Sequence, residues 1–285
     1  VSLTARAQAA AARLPPLLVA AERVAATVAQ GVHGRRRVGV GDSFWQYRPF
    51  VTGDSAARID WRRSARSDRL FVRDTEWEAA QTVGLWRDGS PSMAWRSGKS
   101  LPEKRERAEL LLLALASLLF RAGEQVRPLG APRAFTSRQG LEALANAWPA
   151  ATEGLPGPAR VPKHSQLVLA GDFLAPLPEI AACLTSFAAL PVRVHLLQVL
   201  DPAEMALPYT GRVRFLGLER EGDALVPRVE AIRPEYSAAL EAQMAGVRGL
   251  ASTNGFTLTL HRTDHSPESA LLGLFMALDA GFNRA

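Results

Sequence analysis

Residues 82–95 read TVGLWRDGSPSMAW. The first five, Thr82 to Trp86, are apolar and β-prone and predict a buried strand. Asp88, Ser90 and Ser92 then alternate through a loop punctuated by Gly89 and Pro91. A helix over 103–121, opening with the mixed-charge EKRER, follows. Strand, polar loop and helix in that order are the start of a β-α-β unit.

The same alternation continues outward. EQVRPLG (124–130) and QLVLAGDF (166–173) predict strands, with a short helix over 140–148 between them. A helix over 177–190 and a strand over 192–201 come next. A hairpin-like pair, a helix over 234–253, a strand over 256–262 and a last helix from about 266 complete the chain. This pattern predicts an α/β fold, a mostly parallel sheet flanked by helices and joined by right-handed crossovers. Ligands of such sheets bind at the carboxyl ends of the strands, where Asp88, Asp172 and Asp201 fall.

Three regions are expected: a helical N-terminal segment over 1–30, an Arg-rich, β-rich element over 31–80, and the α/β domain with a C-terminal extension over 81–285. The first holds helices over 3–13 and 17–30, broken by Pro15-Pro16. The second is punctuated by Gly41-Asp42 and Gly53-Asp54. A Pro/Gly-rich connector, PAATEGLPGPARVPKHS (149–165), interrupts the third.

The chain has 285 residues, 47% of them apolar, enough for a substantial core. Its longest apolar run, Leu110 to Phe120, is about half of what a membrane span needs and predicts a buried core helix. With no span and no signal-peptide pattern, the expected compartment is the cytoplasm. Cys183 is the single cysteine, so a disulfide within the chain and a Cys-based zinc site are excluded; its apolar helical setting predicts a small core residue. The net charge is +6. Between residues 34 and 74, ten arginines accompany five aspartates, which favours a structural ion-pair network over a nucleic-acid surface. Phe44, Trp45, Tyr47 and Trp61 in that segment could stack on bases; the core of a small β element is the preferred reading.

The loop at 88–92 fits some chemistries and not others. A nucleophile elbow needs glycines two residues either side of the serine, and neither Ser90 nor Ser92 has them. A P-loop ending in SGKS (97–100) needs a glycine where Met93 stands. The five histidines show no metal-ligand spacing. One carboxylate and two hydroxyls at alternate positions suit a hard cation such as Mg²⁺, and Asp172 is the candidate second acid. The competing reading is a polar turn, with Asp88 capping it and the serines satisfying backbone groups. A metal-assisted hydrolase with Asp172 as base, or nucleic-acid binding through the Arg-rich segment, are the alternatives.

DGSPS after a buried strand, with Asp172 after a later one, resembles the metal-ion-dependent adhesion site of von Willebrand factor A domains. GRRRVGVGDSFWQYRPFVTGDSAARIDWRRSARSDRLFVRDTEWE and LLQVLDPAEMALPYTGRVRFLGLE are similar to the bacterial family fifty-eight of domains of unknown function. The resemblance covers about residues 31–281. It implies a von Willebrand A-like module, non-enzymatic, working with a MoxR-type AAA ATPase in chaperone-like or assembly roles. It implies Mg²⁺ ligands at Asp88, Ser90, Ser92 and Asp172, and a coordination position for an acidic side chain of a partner. The threonine of the intermediate loop would be Thr152, whose ATEGLP setting lacks the family's Gly-Gly-Thr context. Some members begin with two membrane spans, which this sequence does not show.

Overall fold

The computed structural model describes residues 18–29, 44–51, 59–67, 69–75, 81–148, 154–219 and 222–282. The chain divides into two units, one of residues 1–32 with 81–285 and one of residues 33–80. A helix over 18–29 (α1) belongs to the first; the expected helix over 3–13 lies outside the described residues. In the second unit Phe44–Pro49 (β1) pairs antiparallel with Phe71–Thr75 (β2). Between them lies a four-residue helix, Trp61–Ser64 (α2), which the sequence pattern did not predict. Asp60 starts it by accepting from the Arg63 backbone N–H, so a cap set the helix where no periodicity could. Trp61 is 63% exposed, so it is not part of a core; the other three aromatics' side chains lie outside the described set.

The first unit is built on Thr82–Arg87 (β3), Lys104–Arg121 (α3), Gln125–Pro128 (β4), Gly140–Asn146 (α4), Gln166–Gly171 (β5), Leu177–Ala188 (α5) and Arg193–Leu200 (β6). It continues through Pro202–Ala206 (α6), Val213–Leu216 (β7), Asp223–Val226 (β8), Val229–Thr253 (α7), Thr257–Arg262 (β9) and Pro267–Phe282 (α8). Five strands form one sheet in the order β4-β3-β5-β6-β9, every neighbouring pair parallel. β7 and β8 make a separate antiparallel hairpin.

Both faces of the sheet are covered, which is why its strands read as continuous apolar runs. In β5, Val168 and Ala170 join the core beneath α1, α3, α4 and α8, while Leu167 and Leu169 face α5 and α7. The run Leu111–Leu119 of α3 is buried from end to end, and each leucine so placed contributes roughly 1.5–3 kcal/mol. Among the described residues no helix is long and apolar enough to cross a membrane.

The helix expected from residue 234 begins at Val229 and takes Pro234 inside it. Tertiary contacts fix that first turn: Val229 is fully buried, Arg233 donates to the Leu207 and Tyr209 carbonyls, and Glu230 accepts from the Gly211 N–H.

The chain runs from β3 through α3 to β4 on one side, then returns to place β5 on the other side of β3. The carboxyl ends of β3 and β5 therefore flank a topological switch point, where their following loops diverge to opposite faces and leave a crevice.

Candidate functional site

Asp88 and Asp172 end the two strands at that switch point. The Asp88 N–H continues the sheet ladder to the Ala170 carbonyl at 2.8 Å. Ser90 then starts a 3-10 turn, Pro91–Ala94, with Pro91 in the first position where its missing N–H costs nothing. Met93, fully buried in the core, pins this turn down. After β5, Phe173 takes a left-handed φ of 51°, a costly conformation for a side chain of its size. It is held by burial, and Gln243 donates to its carbonyl at 3.1 Å. The Gln198 amide also donates to the Asp172 carbonyl at 2.8 Å, fixing the carboxylate toward the serine loop.

The four residues 88, 90, 92 and 172 form a connected cluster. Asp88 Oδ1 accepts from the Ser90 N–H at 2.8 Å, the turn-making bond that the polar-turn reading expects. The serine hydroxyls do something else. Ser92 Oγ donates to Asp172 Oδ2 at 2.7 Å, and Ser90 and Ser92 Oγ lie 3.1 Å apart. Since the Ser92 proton goes to Asp172, Ser90 is the donor of that pair. Thr152 lies outside the described residues.

Lys104 is the participant that sequence reasoning missed. Its ammonium is fully buried and contacts Asp172 Oδ2 at 2.9 Å and Glu204 Oε1 at 2.5 Å. The only signal was the mixed-charge EKRER stretch that opens the helix expected over 103–121. Glu204 is placed by a capping box with Asp201, and Tyr236 donates to its carbonyl at 2.5 Å. Asp201, the third acid at a strand end, caps α6 through Ala203 and accepts from the Ser97 N–H, so both its oxygens have structural partners.

Asp88 Oδ2 is buried and has no hydrogen-bond partner. Burial, with repulsion from Asp172 and Glu219, pushes the Asp88 carboxyl up to about 7 against the opposing Ser90 bonds. Asp172 and Glu204 share the Lys104 ammonium; the nearby Arg87 is paired with Glu109 at 3.2 Å. A Cβ on Gly154 would stand 4.0 Å from both Asp88 Oδ2 and Ser90 Oγ, so this glycine lies against the Asp88 side of the cluster. Asp172 is less open, because Oδ2 already receives Ser92 and Lys104 and Oδ1 accepts the Leu174 N–H at 3.3 Å. At the open side of the loop, the Ser92 N–H takes a carboxylate oxygen of Glu219 at 3.0 Å.

The other titratable candidates lie elsewhere. His195 is held between Gln166 and Thr257 near the amino ends of the strands, and burial lowers it to about 4. His261 on β9 is likewise lowered to about 4. Cys183 is half-buried against the α5 core, and burial raises its thiol to about 11, which disfavours the thiolate.

The family model described as "Protein of unknown function DUF58" matches residues 46–246. Among solved structures, the chain is similar to the conserved hypothetical protein BatB from Bacteroides thetaiotaomicron, at 14% identity and a TM-score of 0.44, over 72% of this chain and 100% of that one. It is also similar to an aerotolerance-related membrane protein from Bacteroides fragilis, at 17% identity and a TM-score of 0.38, over 72% and 100% of the two chains. None of the curated proteins matches this chain.

Proposed function

The chain belongs to the DUF58 family, and from that premise we propose that it is a von Willebrand A-like, non-enzymatic protein-interaction module. Its docking point is the loop cluster at the switch point. Asp88, Ser90 and Ser92 would hold a Mg²⁺ ion there, with Asp172 supporting Ser92 from behind. When bound, the ion supplies positive charge for an acidic side chain of a partner. The observation that carries this reading is the buried, unpartnered Oδ2 of Asp88, a costly arrangement that a cation relieves. The Ser92 N–H, which already takes the Glu219 carboxylate, supports an acid arriving at the same side. The non-enzymatic reading is supported by the placement of His195, held by Gln166 and Thr257 away from the cluster and so not a base for its serine hydroxyls.

The proposed partner is a MoxR-type AAA ATPase, a reading that rests on the sequence resemblance. Binding of the purified, nucleotide-free ATPase is to be measured for the wild type with Mg²⁺, for the wild type with chelator, and for Asp88→Ala. Chelation and substitution are each expected to weaken binding at least about tenfold, or 1.4 kcal/mol. Binding that survives both unchanged would sink the cation-bridged reading.

A further inference from the structure

Lys104 stands where a lysine is doubly disfavoured. It is the first residue of α3, at the positive end of the helix dipole, and it is fully buried. Burial alone lowers the basicity of its ammonium, and the Asp172 and Glu204 carboxylates more than reverse this, leaving it raised above the ordinary value. The ammonium draws together three loops: that after β3 through Ser92 on the shared Asp172 oxygen, that after β5 through Asp172, and that after β6 through Glu204.

We propose that Lys104 is a built-in cation of this site: its ammonium takes the place of a metal ion against Asp172 and Glu204 and withdraws both acids from any ligand set. The loops then keep their geometry with or without Mg²⁺, and an ion beside Asp88 serves the partner and not the fold. The ion beside Asp88 belongs to the interaction reading above; the role of Lys104 is testable apart from it. Removing the ammonium leaves the buried Asp172 carboxylate, still bonded to Ser92, beside the half-buried Glu204 carboxylate, a charge and oxygen set that a divalent cation satisfies.

The experiment is a Mn²⁺ titration, followed by electron paramagnetic resonance and by thermal melting, of the wild type, Lys104→Ala, Lys104→Arg and Asp88→Asn. Lys104→Ala is expected to bind Mn²⁺ at least about tenfold more tightly than the wild type and to gain the larger rise in Tm on adding it. Lys104→Arg, which keeps the charge, is expected to show no gain. If Lys104→Ala does not fold in chelator, the double variant Lys104→Ala/Glu204→Gln, with one orphaned acid fewer, carries the same expectation. Mn²⁺ bound no more tightly without the ammonium than with it overturns the proposal. The two readings separate cleanly. A wild type that binds no Mn²⁺ beside a Lys104→Ala that does refutes the ion at Asp88 and upholds Lys104. A wild type that loses Mn²⁺ with Asp88→Asn, beside a Lys104→Ala with no gain, does the reverse.

Discussion

Asp88 divides its carboxylate between two tasks, one oxygen closing a turn onto the Ser90 N–H and the other buried without a partner. A polar turn accounts for the first oxygen and leaves the second unexplained. This is the distinction between structural and functional acids that spacing along a sequence does not carry. The buried histidines give a separate prediction. His195 and His261 both titrate near 4 in the folded chain, below the ordinary 6.5, so the unfolded chain takes up these protons first. Their contribution is therefore complete above about pH 6.5 and is lost as the pH falls toward 4. The loss is on the order of 3 kcal/mol per histidine. Urea unfolding at neutral pH and at pH near 4.5 measures it, and His195→Gln is expected to reduce the difference; equal stability at both pH values would contradict the assignment.

At the scale of elements, β3 and β5 approach so closely that two glycines matter for different reasons. A Cβ at Gly171 would lie 3.1 Å from the Asp88 Cβ and 3.2 Å from its Oδ2. At Gly84 it would meet the Leu167 Cδ2 at 2.6 Å. Both Gly→Ala variants are expected to lose roughly 1–3 kcal/mol from overpacking. Only Gly171→Ala should also weaken Mn²⁺ binding, since it displaces the proposed ligand. Melting curves paired with metal titration check this, and equal metal affinity in the two variants would place the ion elsewhere. The elements themselves were largely legible. β3, β5 and β6 read as apolar runs because both faces of the sheet are covered, and α3 read as a buried helix from Leu110–Phe120. The start of α7 was not legible, because side-chain bonds from Arg233 and Glu230 hold a turn that Pro234 alone would argue against. Nor was Lys104. A lysine within EKRER carries the signature of a solvated face, and only the approach of the loops after β5 and β6 turns it inward.

Over the whole molecule, strand order decides where the site lies. Alternating strands and helices predict a parallel sheet, and they do not reveal that β5 inserts beside β3 on the side away from β4. That reversal brings Asp88 and Asp172, 84 residues apart in sequence terms, to one crevice, and it gives Ser92 its acceptor at 2.7 Å. The Arg-rich segment over 33–80 forms a unit of its own, with β1 paired to β2 and Arg63 lying 5.4 Å over the Phe71 ring. A cation is proposed beside Asp88, with Lys104 keeping Asp172. A crystal structure grown with Mn²⁺ and measured at the manganese absorption edge tests it most directly. One anomalous peak is expected within ligand distance of Asp88 Oδ2 and the serine hydroxyls, with the Lys104 ammonium still on Asp172 and Glu204. No peak beside Asp88, or a peak against Asp172 with Lys104 displaced, would contradict it.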